Sequence, residues 1–132
     1  MDTPLQILKA LADRNRLRIM AALMDGKELC ACQITELLQV TGPTVSRHLS
    51  LLTWAGLLSS RKQGRWIFFF IPAGTEARLL KWVGERLTDS EQIRDDARAL
   101  EAILSQDPET ICRKQRGEAC CPAEEKQSCQ KN

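Results

Sequence analysis

Residues Ile34–Ile71 read ITELLQVTGPTVSRHLSLLTWAGLLSSRKQGRWIFFFI. Ile34, Leu37 and Leu38 fall at the spacing of an apolar helix face and predict a short helix over 33–39. Val40-Thr41-Gly42-Pro43 interrupts that pattern as a turn. Thr41 stands where it can cap a second helix, and Pro43 is tolerated in a first turn, where its missing N–H is no loss. The second helix runs to about Ala55 with Val45, Leu49 and Leu52 on one face, and Gly56 stops it. Leu57–Lys62 and Arg65–Ile71 then read as two strands around the turn signal Gln63-Gly64. The Trp66–Ile71 stretch is dense in aromatic and β-branched residues, which suit a pleated surface.

Working outward, Leu5, Leu8 and Leu11 predict a helix over 4–12. Leu17, Ile19, Met20 and Leu23 predict another over Arg14–Met24, with Asp13 as its N-cap and Gly26 as its stop. Beyond the strands, Leu79, Leu80, Val83 and Leu87 form one helical stripe from Glu76. Thr88 and Glu91 fit a capping box that restarts a helix to about Leu104. The whole is mainly α: a three-helix core followed by a two-stranded β-wing is a winged helix–turn–helix, with long C-terminal helices for dimerisation. Their apolar surface exceeds what a small three-helix core can cover, which predicts a symmetric homodimer. The 132 residues hold one small domain. Its expected bounds are 1–106 for DNA binding and dimerisation, and after Asp107-Pro108 residues 107–132 form a polar, cysteine-rich, flexible tail.

Net charge is only +2, but no acidic residue lies between Glu36 and Glu76, while Arg47, Arg61, Lys62 and Arg65 all do. A local basic surface on a near-neutral chain is the electrostatic mark of a nucleic-acid partner. If Val45 and Leu49 face the core, then Thr44, Ser46, Arg47 and His48 lie towards the outward, N-terminal side of the second helix, the part that enters a major groove. Arginine pairs with guanine edges, and serine and threonine reach bases or phosphates. Arg61, Lys62, Gln63 and Arg65 sit at the wing tip, where they meet backbone or minor groove. His48 reads equally as a helix surface residue or a partly buried hydrogen-bonder. The expected partner is double-stranded operator DNA.

The N-terminus lacks the basic and apolar regions of a signal peptide, and no stretch has the length of a membrane span. A cytoplasmic location without membrane contact is expected. The six cysteines then point to metal binding or redox chemistry rather than structural disulfides. An enzyme is excluded by the single histidine and the lack of any Ser-His-Asp or carboxylate constellation.

Leu11-Ala12-Asp13-Arg14-Asn15-Arg16-Leu17-Arg18-Ile19 resembles the opening of ArsR/SmtB-type metalloregulators. Glu28-Leu29-Cys30-Ala31-Cys32 resembles the metal box of their arsenic-responsive members. Val45-Ser46-Arg47-His48-Leu49, Gly56-Leu57-Leu58 and Arg61–Trp66 resemble their recognition helix and wing. The resemblance spans about residues 4–105. It implies a homodimeric repressor that leaves its operator when arsenite or antimonite, As(III) or Sb(III), binds cysteine thiolates. This chain departs from the pattern twice: the box's usual third cysteine is Thr35, and Gly42 stands where many members carry glutamine.

Soft trivalent arsenic prefers thiolates, and the resemblance implies a pyramidal site of two or three sulfurs with Cys30 and Cys32 as its first pair. Residues two apart diverge by about 200° on a helix but point the same way in an extended segment. One ion therefore holds both sulfurs only if residues 30–32 are non-helical, and binding pulls on a helix that starts near Gln33. Cys112, Cys120, Cys121 and Cys129 follow in the tail. The Cys120-Cys121 pair with Cys129 resembles the C-terminal arsenic site of another branch of the family. These cysteines complete the first site, form a second one, or have no specific role. A four-cysteine zinc site lacks its usual spacing. The alternative to metalloid sensing is a repressor whose thiols sense oxidation.

Overall fold

The computed structural model describes residues 2–116. Its elements are α1 (Asp2–Leu11), α2 (Arg14–Leu23), β1 (Leu29–Cys30), α3 (Ala31–Leu38), α4 (Gly42–Trp54), β2 (Ser59–Gln63), β3 (Trp66–Phe70), α5 (Ala77–Leu87), α6 (Glu91–Leu104) and α7 (Pro108–Arg116). Helices α2, α3 and α4 pack on one another, and α1 closes over α2 and α4. Ile19, Met20 and Leu23 of α2 meet Ile34 of α3, and Val45 and Leu52 of α4, in a core where each is essentially inaccessible. Burying such a side chain is worth about 1.5–3 kcal/mol. This is the winged helix–turn–helix read from the sequence, and the local stops hold: Asp13 caps α2 by accepting from Asn15 N at 2.9 Å and Arg16 N at 3.2 Å. Gly56 leaves α4 at φ +82°, a left-handed conformation that costs glycine nothing.

The wing has a third strand. Its sheet runs β1-β3-β2, all antiparallel. Ser59 to Gln63 pair with Phe70 to Trp66, while Leu29 and Cys30 pair with Phe69 and Phe68 on the other edge. The two-stranded expectation missed β1 because two residues carry no alternation to detect. Their strand character comes from β3, whose second edge would otherwise be open.

Three helix starts also differ. Helix α3 begins at Ala31 rather than near Gln33, because Cys30 acts as its N-cap in an extended conformation (φ −85°, ψ 166°). The N-cap of α6 is Ser90, whose Oγ accepts from Ile93 N at 3.4 Å. Thr88, expected in that role, instead donates to Gly84 O at 3.0 Å. Finally, residues 108–116 form α7, where the sequence reading begins a flexible tail. Asp107 caps it by accepting from Glu109 N at 3.1 Å, Pro108 opens it, and it packs on α3 with Ile111 and Cys112 each 1% exposed. Cys120, Cys121 and Cys129 lie outside the described residues.

Arg18 ties α6 to the core. Its Nε and Nη2 donate to the Asp96 carboxylate at 2.8 and 2.9 Å, and Nη2 also reaches Leu37 O at 3.2 Å. Among the described residues no helix is long and apolar enough to cross a membrane.

Candidate DNA-binding face and cysteine pocket

Thr41, at the N-cap of α4, shares a 2.8 Å hydrogen bond between its hydroxyl and that of Thr44. Val45 and Leu49 enter the core, which turns Ser46 and Arg47 outward, both exposed, with Thr44 half-buried beside them. His48 separates from this group. It is 8% exposed, its Nδ1 lies 3.2 Å from Arg16 Nη1, and its Nε2 lies 4.0 Å from Asp13 Oδ2. A guanidinium only donates, so this contact is a hydrogen bond in the tautomer whose Nδ1 is unprotonated and accepts. Burial lowers the His48 pKa from 6.5; Asp13 opposes that shift, and Arg16 and Arg47 add to it. His48 thus links α4 to the cap of α2.

On the wing, Gly64 turns the hairpin at φ +59°, and Arg61, Lys62, Gln63 and Arg65 are all exposed. Arg61 is committed elsewhere: it donates to Glu28 and Gln63 and lies over the Phe68 ring at 5.3 Å. Glu28, just outside the acid-free window, folds back onto the wing and offsets part of its charge.

Both sequence-predicted cysteines are buried, Cys30 at 3% and Cys32 at 7% exposure. They occupy different settings. The Cys30 sulfur faces the backbone N–H of Gln33, whose side chain returns to Cys30 N at 2.9 Å, a capping box with sulfur in the place of a hydroxyl. Cys32 sits in the first turn of α3 and forms a disulfide with Cys112 of α7, Cα–Cα 5.4 Å. The expectation of no structural disulfide is corrected here, because α7 brings a distant thiol onto α3. Gln115 Nε2 adds a hydrogen bond to Cys32 O at 2.7 Å. Thr35, in the usual third position, donates to Ala31 O at 2.8 Å. Among the described residues no three Cys, His, Asp or Glu side chains stand ready to hold a metal ion.

Cys30, Cys32 and Cys112 line one cavity of about 490 Å³, together with Ser46 and Leu49 of α4 and Arg65, Trp66 and Phe69 of the wing. The three cysteines and two of the outward polar residues therefore share walls. Sequence reasoning placed Cys112 in a flexible tail. The signal available was Asp107-Pro108, a cap followed by a first-turn proline, with Ile111 one helical turn on.

Residues 13–60 match the profile of the family described as bacterial regulatory protein, arsR family. The chain is 40% identical over 82 residues to the arsenical resistance operon repressor of Escherichia coli (strain K12), covering 62% of this chain and 70% of that one. It is 39% identical over 72 residues to the cadmium resistance transcriptional regulatory protein CadC of Listeria innocua, covering 53% and 60%. Its fold matches that of HlyU from Vibrio cholerae with a TM-score of 0.58 at 26% identity, over 66% of this chain and 92% of that one.

Proposed function

The chain belongs to the arsR family of bacterial regulatory proteins, and we propose that it is a transcriptional repressor that holds a palindromic operator as a homodimer and releases it when As(III) or Sb(III) binds the Cys30 and Cys32 thiolates. Its relatives are transcriptional regulators, not enzymes. The observation that carries the reading is the shared cavity: the two cysteines line it together with Ser46 and Arg65.

The donor set fits a soft ion, since the only polar ligand atoms that Cys30 and Cys32 offer from their side chains are sulfurs. When bound, such an ion supplies a bridge between thiolates. The rest is done by the chain. Cys30 is extended and Cys32 lies in the first helical turn of α3, so the start of the helix falls between the two residues. For both to face one point, the first turn of α3 must open, and Cys30 must give up its place over Gln33 N–H. Helix α3 packs on α4, and Cys30 is paired to Phe68 of the wing. Opening that turn displaces Ser46 and Arg47 on one side and the wing on the other. Arg47 and Ser46 read bases, Thr44 holds the start of α4, and Lys62, Gln63 and Arg65 meet phosphates. Residues 1–106 supply DNA binding and dimerisation, with exposed Leu5, Leu8 and Trp82 in the dimer interface.

The test is operator release, followed by fluorescence anisotropy on DNA selected in vitro for binding to the reduced full-length chain. Cys30→Ser and Cys32→Ser each bind DNA and stay bound when arsenite is added. Release that persists in the double variant defeats the reading. A second reading, a repressor that senses oxidation, is favoured by the Cys32–Cys112 disulfide. It predicts release by diamide, without metalloid, that Cys112→Ala abolishes.

A further inference from the structure

We propose that Cys112, carried by α7, is the third sulfur of the arsenite site, so that one element outside the winged helix completes a Cys30, Cys32, Cys112 trithiolate. This rests on the arsenite reading above and adds to it the missing ligand and the element that delivers it.

The position where a third cysteine is expected holds Thr35, whose hydroxyl is hard and already donated to Ala31 O. Helix α7 fills that lack from the other end of the chain. It buries Ile111 and Cys112 to 1% exposure against the core, and Gln115 pins it to the carbonyl of Cys32 itself. The disulfide shows that the Cys32 and Cys112 sulfurs reach one point with their Cα atoms 5.4 Å apart. Cys30 opens onto the same cavity, whose apolar walls include Leu49, Trp66 and Phe69. Three cysteines and no histidine or carboxylate line it among the described residues. That number suits a three-coordinate soft ion better than zinc, which takes four ligands in closed sites.

The chemistry balances in two stages. Two molecules of a small thiol, such as glutathione, first exchange with the Cys32–Cys112 disulfide. They leave as their own disulfide and return two protein thiols. The three thiols then condense with As(OH)3: three S–H and three As–O bonds break, three As–S bonds form, and three waters leave with no change in oxidation state. Cys30 joins by releasing the Gln33 N–H, the same movement that opens α3.

The experiment uses the full chain, reduced and loaded with one equivalent of arsenite. Cysteine alkylation mapped by mass spectrometry comes first, on the unaltered chain. Cys30, Cys32 and Cys112 are expected to be protected together. X-ray absorption then counts sulfurs in a Cys120→Ser/Cys121→Ser/Cys129→Ser background. Three are expected, falling to two in the same chain with Cys112→Ala. Arsenite affinity should drop by more than the about 10–100-fold typical of losing an outer-shell partner. Alkylation needs no substitution at a buried site, so it stays decisive if Cys112→Ala misfolds. If Cys30 and Cys32 are protected while Cys112 reacts at its metalloid-free rate, or the sulfur count ignores Cys112→Ala, the third-ligand proposal is overturned and the arsenite reading survives. If none of the three is protected, the arsenite reading itself falls.

Discussion

Arg47 and Arg65 are both exposed cations, yet their positions assign them different work. Arg47 lies on the outward face of α4, so Arg47→Ala should cost about 1–3 kcal/mol on the selected site and flatten base preference at one position. Arg65 lies beyond the hairpin turn, so Arg65→Ala should weaken all sequences alike and reduce the salt slope by about one unit per lost phosphate contact. Anisotropy titrations over a salt series distinguish the two, and a change of base preference with Arg65→Ala alone would reverse the assignment. His48 carries a pH signature instead. Its folded pKa lies below the ordinary 6.5 because burial disfavours the cation. Between those two values the unfolded chain binds more protons, so stability rises with pH there. The contribution is complete above about 6.5 and is lost as pH falls through the folded value. Urea unfolding at pH 5 and 7.5 should show a smaller difference for His48→Gln than for the parent chain. Sequence spacing put His48 near the groove face. It could not show that Arg16 and Asp13, more than thirty positions earlier, converge on the ring.

Helices with strong apolar periodicity, α2 and α4 above all, stand where the sequence puts them, although the Thr41 side chain makes no capping hydrogen bond to α4. The departures have physical causes. Cys30 caps α3 although thiols are not among the preferred capping side chains, and the extended Cys30 sets the start two residues early. Strand β1 exists only because β3 offers it an edge. Helix α7 holds one buried pair among charged residues, and its docking surface is built by α3. The Arg18–Asp96 pair was equally invisible, joining α2 to α6 across 78 positions with side chains only 13% and 9% exposed. Removing one partner strands a buried charge, so Asp96→Ala should destabilise by about 3–5 kcal/mol. Replacing both partners, as in Arg18→Met/Asp96→Leu, should recover most of that loss. Equal damage from the single and double variants in chemical denaturation would mean that the pair's geometry, not its charge, holds α6.

Across the molecule, apolar surface remains outside the helix–turn–helix. Leu5 and Leu8 on α1, Trp82 on α5 and Leu104 at the end of α6 are 48%, 61%, 55% and 43% exposed. A two-fold dimer that covers part of it would set the recognition helices about 34–36 Å apart, one DNA turn. Leu8→Glu/Trp82→Glu should sediment as a monomer and lose operator affinity, and a parent chain that is itself monomeric at micromolar concentration would refute the dimer. The disulfide from Cys32 to Cys112, 80 positions apart, has a further consequence. It encloses most of α3, then α4, β2, β3, α5 and α6 in a single covalent ring. Closing a ring of that size removes freedom from the unfolded chain worth about 4–5 kcal/mol in the chain-entropy account. The oxidised protein should therefore withstand heat better than the reduced one while being deaf to arsenite, and ligand that binds only the folded, reduced chain should restore part of the lost heat resistance. Robustness on storage and readiness to respond then belong to opposite oxidation states of the same two sulfur atoms.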